Sequence, residues 1–138
     1  MADFAPPNLD VIRGWIKGDE GHFNWEHMFR FAAETADAKD VSEWIERQIS
    51  HIKKSVNKVV TCDVSEEFPL GADFVEAFDV VLVSFCLCSV ARSLTEYTRL
   101  LKNASSLLPS GGYLVMRDEL FVKSYMVGDK TFHHIDMQ

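Results

Sequence analysis

The feature that most constrains the fold is a change of period partway along the chain. Two short runs, "NKVVTCDV" over 57–64 and "FDVVLVSFCL" over 78–87, are β-branched and nearly continuous in apolar character. Strands buried on both faces of a parallel sheet tend to read this way. A third run, "GGYLVMRDEL" over 111–120, follows the amphipathic segment "SLTEYTRLLKNASSLL" over 93–108. In that segment Leu94, Tyr97, Leu101, Ala104 and Leu108 recur at helical spacing behind Ser93, a good N-cap. Strand, helix, strand is the grammar of an α/β protein with a parallel sheet. In such sheets ligands gather at the carboxyl ends of the strands, near a topological switch point. That rule directs attention to Asp3, to Cys62-Asp63-Val64 and to the stretch from Ser84 to Cys88.

The first part of the chain has the helical period instead. "NLDVIRGWIKG" places Leu9, Ile12, Trp15 and Ile16 on one face, with Asn8 as the expected N-cap after Pro6-Pro7 and a stop at Gly18. "FNWEHMFRFAAETAD" offers Trp25, Met28, Phe29 and Ala32, with Asn24 as a candidate cap. "DVSEWIERQISHIKKSV" is the clearest amphipathic helix, lined by Val41, Trp44, Ile45, Ile49, Ile52 and Val56, with acids early and lysines late as the helix dipole favours. Between the first two strand runs, "SEEFPLGADFVEA" reads as a loop. The turn "LLPSGGYLV" ends a helix at Leu108 and Pro109, then uses Gly111 and Gly112, both able to take positive φ, to reverse the chain into a strand. The tail "FVKSYMVGDKTFHHIDMQ" reads as a short helix or loop and a partial strand.

Fourteen basic against twenty-one acidic residues give a net charge of -7, which disfavours a dedicated nucleic-acid binder. Cys62, Cys86 and Cys88 are an odd number without zinc spacing, as in a reducing compartment. The start "MADFAPPNLD" has no basic or apolar region of a signal peptide, and no apolar run nears the ~20 residues of a membrane span. The expectation is a soluble, cytoplasmic chain. His133 and His134 could be read as a metal pair, but neighbours on a strand face opposite ways. Cys86 and Cys88 would share a strand face and read as packing residues.

Two carboxylates stand where nucleotide-binding α/β folds use them. Asp3, at the end of a short first strand, can accept from ribose hydroxyls, or can be a terminal surface aspartate. Asp63 can accept from an adenine amino group while the Val64 amide donates to a ring nitrogen, or Asp63 can cap its own loop.

Several stretches together, "DFAPPNL", "VVTCDVSEEFPLG", "FDVVLVSFCLCSV", "LLPSGGYLV" and "SYMVG", resemble the S-adenosylmethionine-dependent small-molecule amine N-methyltransferases. The group resembled is that of nicotinamide, phenylethanolamine and thioether/indolethylamine N-methyltransferases, and the likeness runs over nearly all of the chain. It implies an α/β, Rossmann-like methyltransferase sheet with flanking helices, and S-adenosyl-L-methionine as cofactor. By resemblance, Asp3 and Asn8 hold the cofactor ribose, Asp63 and Val64 read adenine, and Ser84 lies beside the cofactor. Asp118 matches the carboxylate that orients an acceptor amide, and Tyr125 an aromatic wall of the acceptor pocket. Cys88 stands where relatives carry Asp or Glu facing the acceptor, His134 where they carry a small hydroxyl residue, and Pro109-Ser110 in place of a basic residue and proline. The implied acceptor is a small amine or pyridine-like molecule. Its transfer chemistry rests on alignment rather than on a strong base.

The whole chain, 1–138, is expected to be a partial methyltransferase domain, without the first strand with its glycine-rich loop and without the C-terminal strands. An uncovered sheet edge would then favour self-association. The competing reading is a non-catalytic fragment that serves as a binding module. A dehydrogenase is disfavoured, since no G-x-G-x-x-G occurs.

Overall fold

Proline lacks an amide hydrogen and holds φ near the helical value, so it suits the first turn of a helix. Helix α1 accordingly begins at Pro6 and runs to Lys17, capped at Ala5 and ended by Gly18 at φ 80°. Asn8 therefore lies inside the first turn and is not the N-cap, because the two prolines start the helix earlier than the side-chain signal suggested. The computed structural model describes residues 1–21, 23–118 and 122–133, which form two compact units, 1–61 and 62–138.

In the first unit, β1 (Ala2–Asp3) pairs in parallel with β2 (Val60–Thr61). The terminal amine donates to Lys58 O at 2.8 Å and the Arg13 guanidinium to Val59 O at 3.1 Å, so the two residues leading into the second strand are both held. Helices α2 (Glu26–Thr35) and α3 (Val41–Ser55) complete the unit. Asp40 caps α3 by accepting from the Glu43 amide at 2.9 Å, and Lys53 and Lys54 close its last turn. Leu9, Trp15, Ala33 and Ile45 are buried, and Trp15 stacks on Phe29 at 6.2 Å with the Lys53 ammonium 5.0 Å from the Trp15 ring. The inner row of α2 thus contains Phe29 and Ala33, whereas Met28 and Ala32, expected inside, are exposed. The helix is rotated so that an aromatic ring, not a methionine, meets Trp15.

The second unit is built on β3 (Val80–Ser84) and β4 (Tyr113–Arg117), parallel and in register from Val80↔Tyr113 to Ser84↔Arg117. Between them lie a short helix α4 (Leu87–Val90) and the crossover helix α5 (Leu94–Ser105), whose N-cap Ser93 accepts from the Glu96 amide. Its core joins Val83, Leu87, Ala91, Leu100 and Ala104. Leu100, Asn103 and Ala104 form the buried side of α5, while Leu94, expected inside, is 68% exposed. Leu94 is the first helical residue.

The strands are not buried on both faces. Val81, Val83 and Leu114 pack toward the core, but Val80, Leu82, Tyr113 and Val115 are exposed. The continuous apolar pattern therefore reflects a sheet face that no described residue covers. The first strand run is also shorter than its apolar pattern, with only Val60–Thr61 paired. The loop "SEEFPLGADFVEA" carries a single 3-10 turn, Ala72–Phe74.

At the turn, the Gly112 amide donates to Pro109 O at 3.0 Å and Gly111 takes φ 91°. Only Gly111 needs the positive angle. Gly112 is required for room, since a Cβ there would meet Leu108 and Pro109 O at 3.1–3.2 Å. The tail forms an antiparallel hairpin, β5 (Ser124–Val127) and β6 (Lys130–His133), around Gly128-Asp129. It replaces the expected helix or loop, and a two-residue Gly-Asp link between apolar runs was the overlooked hairpin signal.

Candidate functional site

The first unit presents Asp3 and Asn8 as one local hook. Asp3 ends β1, and its Oδ1 accepts from the Ala5 amide at 2.8 Å. The Asn8 side-chain Nδ2 then donates to Oδ1 and Oδ2 at 3.2 Å each. The prolines that moved the helix start explain this contact, because they put Asn8 one turn above the strand end. The carboxylate is fixed in orientation yet keeps lone pairs for a further donor, such as the hydroxyls of a diol. A cavity of about 380 Å³ in the same unit, lined by Trp15, Trp25, Ile45, Ile49 and Lys53 among others, includes neither residue.

In the second unit, Asp63 sits in an Asx turn. Its Oδ1 accepts from the Ser65 amide at 2.9 Å and from the Ser65 hydroxyl at 2.6 Å, and its own amide donates to Pro69 O at 3.0 Å. The Ser65 hydroxyl first, and the Ser65 amide second, hold the Asp63 carboxyl below its ordinary value against a small opposing burial effect. Both bonds fall on Oδ1, which leaves Oδ2 to accept from a ligand. The loop-capping reading and the ligand-reading one are thus compatible, one oxygen serving each.

The sign of the pH effect follows from that depression. Asp63 contributes stability above the unfolded carboxylate value, and loses it as pH falls through the lower folded value. Ser65→Ala should move the Asp63 titration midpoint upward and flatten the acid limb of the stability curve. Carboxyl-detected NMR of the variant checks the first statement and acid unfolding the second.

At the end of β3, Ser84 is exposed and in register with Arg117. The strand stops there because Phe85 takes φ 50°, a left-handed angle costly for a side chain with Cβ, at roughly 1–3 kcal/mol. The Phe85 amide donates to Arg117 O at 2.7 Å, and the Arg117 guanidinium lies 4.5 Å from the Phe85 ring. Beyond this kink the chain enters α4, so Cys86 and Cys88 are not on a strand as expected. Cys88, expected to face an acceptor, is fully buried, its Sγ 3.9 Å from the Ser89 hydroxyl. The kink turns it into the core beside Leu87.

Asp118 follows β4 directly. Its Oδ2 accepts from the Tyr97 hydroxyl at 2.7 Å, while Oδ1 is buried and finds no partner among the described residues. Burial, then the bond to Asp118, pushes the Tyr97 phenol up to about 12. Tyr97 was legible only as an apolar-spaced residue, and its hydroxyl role was not. An unpartnered buried carboxylate oxygen carries a desolvation cost that an N–H donor would offset. Tyr125 is half-buried on β5 opposite Phe132. His134 lies outside the described residues; His133, at the end of β6, is exposed. Among the described residues no three His, Cys, Asp or Glu are grouped to hold a metal, and no helix is long and apolar enough to cross a membrane.

Two residues that the sequence did not single out support the Asp63 loop. Asn103, on α5 and only 8% exposed, donates to Val64 O at 3.0 Å and Ser65 O at 3.4 Å. The Arg99 guanidinium donates to Ser65 O at 2.7 Å. A polar residue within the apolar row Leu100-Asn103-Ala104 was the available signal.

A model of the NNMT/PNMT/TEMT family matches residues 1–138. Nicotinamide N-methyltransferase of Homo sapiens is 29% identical over 137 residues, 99% of this chain and 51% of that protein. Indolethylamine N-methyltransferase of Mus musculus is 30% identical over 138 residues, covering 100% and 51%. Phenylethanolamine N-methyltransferase of Macaca mulatta is 28% identical over 131 residues, covering 94% and 45%. The chain spans about half the length of the curated relatives it matches.

Proposed function

This chain belongs to the NNMT/PNMT/TEMT family, and from that membership we propose that it serves S-adenosyl-L-methionine-dependent N-methylation of a small amine or pyridine-like acceptor. The proposal includes a Rossmann-like sheet for the complete domain and a cytoplasmic place of action. The observation that carries it is the Asp63-Val64 loop, where a carboxylate held in its charged form keeps Oδ2 available beside a backbone amide. That donor and acceptor set suits an adenine edge, and the Asp3 carboxylate suits a ribose diol. The residues present therefore fit the cofactor chemically.

Bound there, the cofactor supplies a methyl group activated by a sulfonium. Asp3 with Asn8 orients a diol, Asp63 with Val64 orients a base, and Ser84 offers a hydroxyl at the end of β3. Asp118 holds an N–H of the acceptor through Oδ1, with its other oxygen already fixed by Tyr97. Tyr125 forms an aromatic wall beside the acceptor. A pyridine-like nitrogen carries its own lone pair, so these side chains need only align the acceptor and exclude water. Cys88 and His134 remain in the proposal as residues that set acceptor preference.

Calorimetric titration of the purified chain with S-adenosyl-L-methionine and S-adenosyl-L-homocysteine tests the proposal. Saturable binding supports it. Absence of binding at millimolar ligand favours the competing reading, a methyltransferase-like binding module without catalysis.

Self-association is part of the same reading. Val80, Leu82, Tyr113 and Val115 lie exposed on one face of the β3–β4 sheet, with exposures from 48% to 71%. A second copy of this face would cover them. Leu82→Lys should leave the far-UV circular dichroism unchanged and shift sedimentation velocity toward monomer. An unchanged distribution, or a wild-type chain that is monomeric at ~100 μM, removes this part of the proposal.

A further inference from the structure

We propose that Asn103, with Arg99 beside it, is a positioning residue that sets the Asp63–Ser65 loop from below. The inference deepens the reading of that loop as the base-recognising element, and rests on it. A buried asparagine on the apolar side of a helix is costly unless its amide is used. Asn103 uses it on Val64 O and Ser65 O. The Val64 carbonyl shares its peptide plane with the Ser65 amide, and the Ser65 carbonyl with the Glu66 amide, so their direction also sets where those two amides point, the Ser65 amide being the one that donates to Asp63. Arg99, one turn earlier on α5, fixes Ser65 O a second time at 2.7 Å. Ser65 in turn donates twice to Asp63. The chain of contacts therefore runs from the α5 core row, through Ser65, to the carboxylate.

α5 is itself firmly seated. Leu100, between Arg99 and Asn103, is fully buried, and Ala104 is 2% exposed. Beyond its C-terminal end the Glu76 amide donates to Ser106 O and the Phe78 amide to Leu107 O. A rigid helix that holds two consecutive carbonyls can fix a short loop to within the few tenths of an ångström that recognition of a planar base requires.

The test uses the full chain and two readouts. Asn103→Leu keeps the branched shape of the side chain and removes the donor. Arg99→Met, at a half-exposed position, removes the second donor at little risk to folding. In the unliganded variants the Asp63 titration midpoint, followed by carboxyl-detected NMR, should rise toward the ordinary carboxylate value as Ser65 loosens. Exchange of the Ser65 and Glu66 amides, which donate to Asp63 Oδ1 and Asp63 O, should quicken. Affinity for S-adenosyl-L-homocysteine should weaken about fivefold, what one aligned hydrogen bond is worth.

A core residue without a positioning role would lower the melting temperature and leave the Asp63 midpoint and loop exchange unchanged; that result overturns the proposal. If Asn103→Leu fails to fold, Arg99→Met alone decides by the same two measurements. If the midpoint and exchange shift while Asp63→Ala has no effect on ligand binding, the positioning role stands and the base-recognition reading falls.

Discussion

Replacing Asp63 with alanine is expected to weaken S-adenosyl-L-homocysteine binding by about 10- to 100-fold, the range for losing a hydrogen bond to a charged group. The effect is large because Asp63 is held ionised by Ser65 and keeps one oxygen unspent. Loss of the Asx turn also costs stability, about 1 kcal/mol for the bonds to Ser65. A melting curve run beside the calorimetry separates the two. A variant that melts near the wild type and binds poorly supports direct recognition. Equal binding by wild type and Asp63→Ala would remove Asp63 from the site.

Leu100→Ala is expected to cost about 2–5 kcal/mol of stability. Leu100 is fully buried among Val83, Leu87, Ala91 and Ala104, where the sheet and α5 meet. Removing three carbon-sized groups there leaves a cavity that the parallel strands cannot collapse into, since their register is set by hydrogen bonds. Such a loss is a large part of the 5–15 kcal/mol available to a typical protein. Urea denaturation with intrinsic fluorescence checks it. A change below ~1 kcal/mol would mean that the core of the second unit is not organised around α5.

A smaller effect, by contrast, is expected at Leu94, which has the same residue type and helical spacing. It is exposed, so Leu94→Ala should change stability by less than ~0.5 kcal/mol. Spacing alone ranks the two leucines equally, and only their environment separates them.

Much of the architecture could be read directly from the residues. Period located the three early helices, although the first two are capped at Ala5 and Trp25 rather than at Asn8 and Asn24, and period with capping placed the crossover helix behind Ser93 and the parallel pair flanking it. These features are local: a helix face, a cap or a proline acts within a few residues of itself. Asp3, Asp63 and Ser84 were likewise placed at strand ends by the rule for parallel sheets, and the chain's family followed from motifs along its length.

What the residues alone could not decide depended on partners distant in sequence. Phe85 could not be foreseen at φ 50°, because its angle depends on a bond to Arg117, 32 positions later, and that kink is what buried Cys88. The apolar strands could not be told from strands covered on one face only, since periodicity reports hydrophobicity and not what lies opposite. Asn103 read as an ordinary helical polar residue until the carbonyls of Val64 and Ser65 were found 39 and 38 positions away. The sequence by itself thus determined the local elements and the family. Tertiary structure alone decided which side chains are buried and which carboxylate oxygens remain unspent, because a hydrogen bond needs its partner within about 3 Å, whatever the separation along the chain.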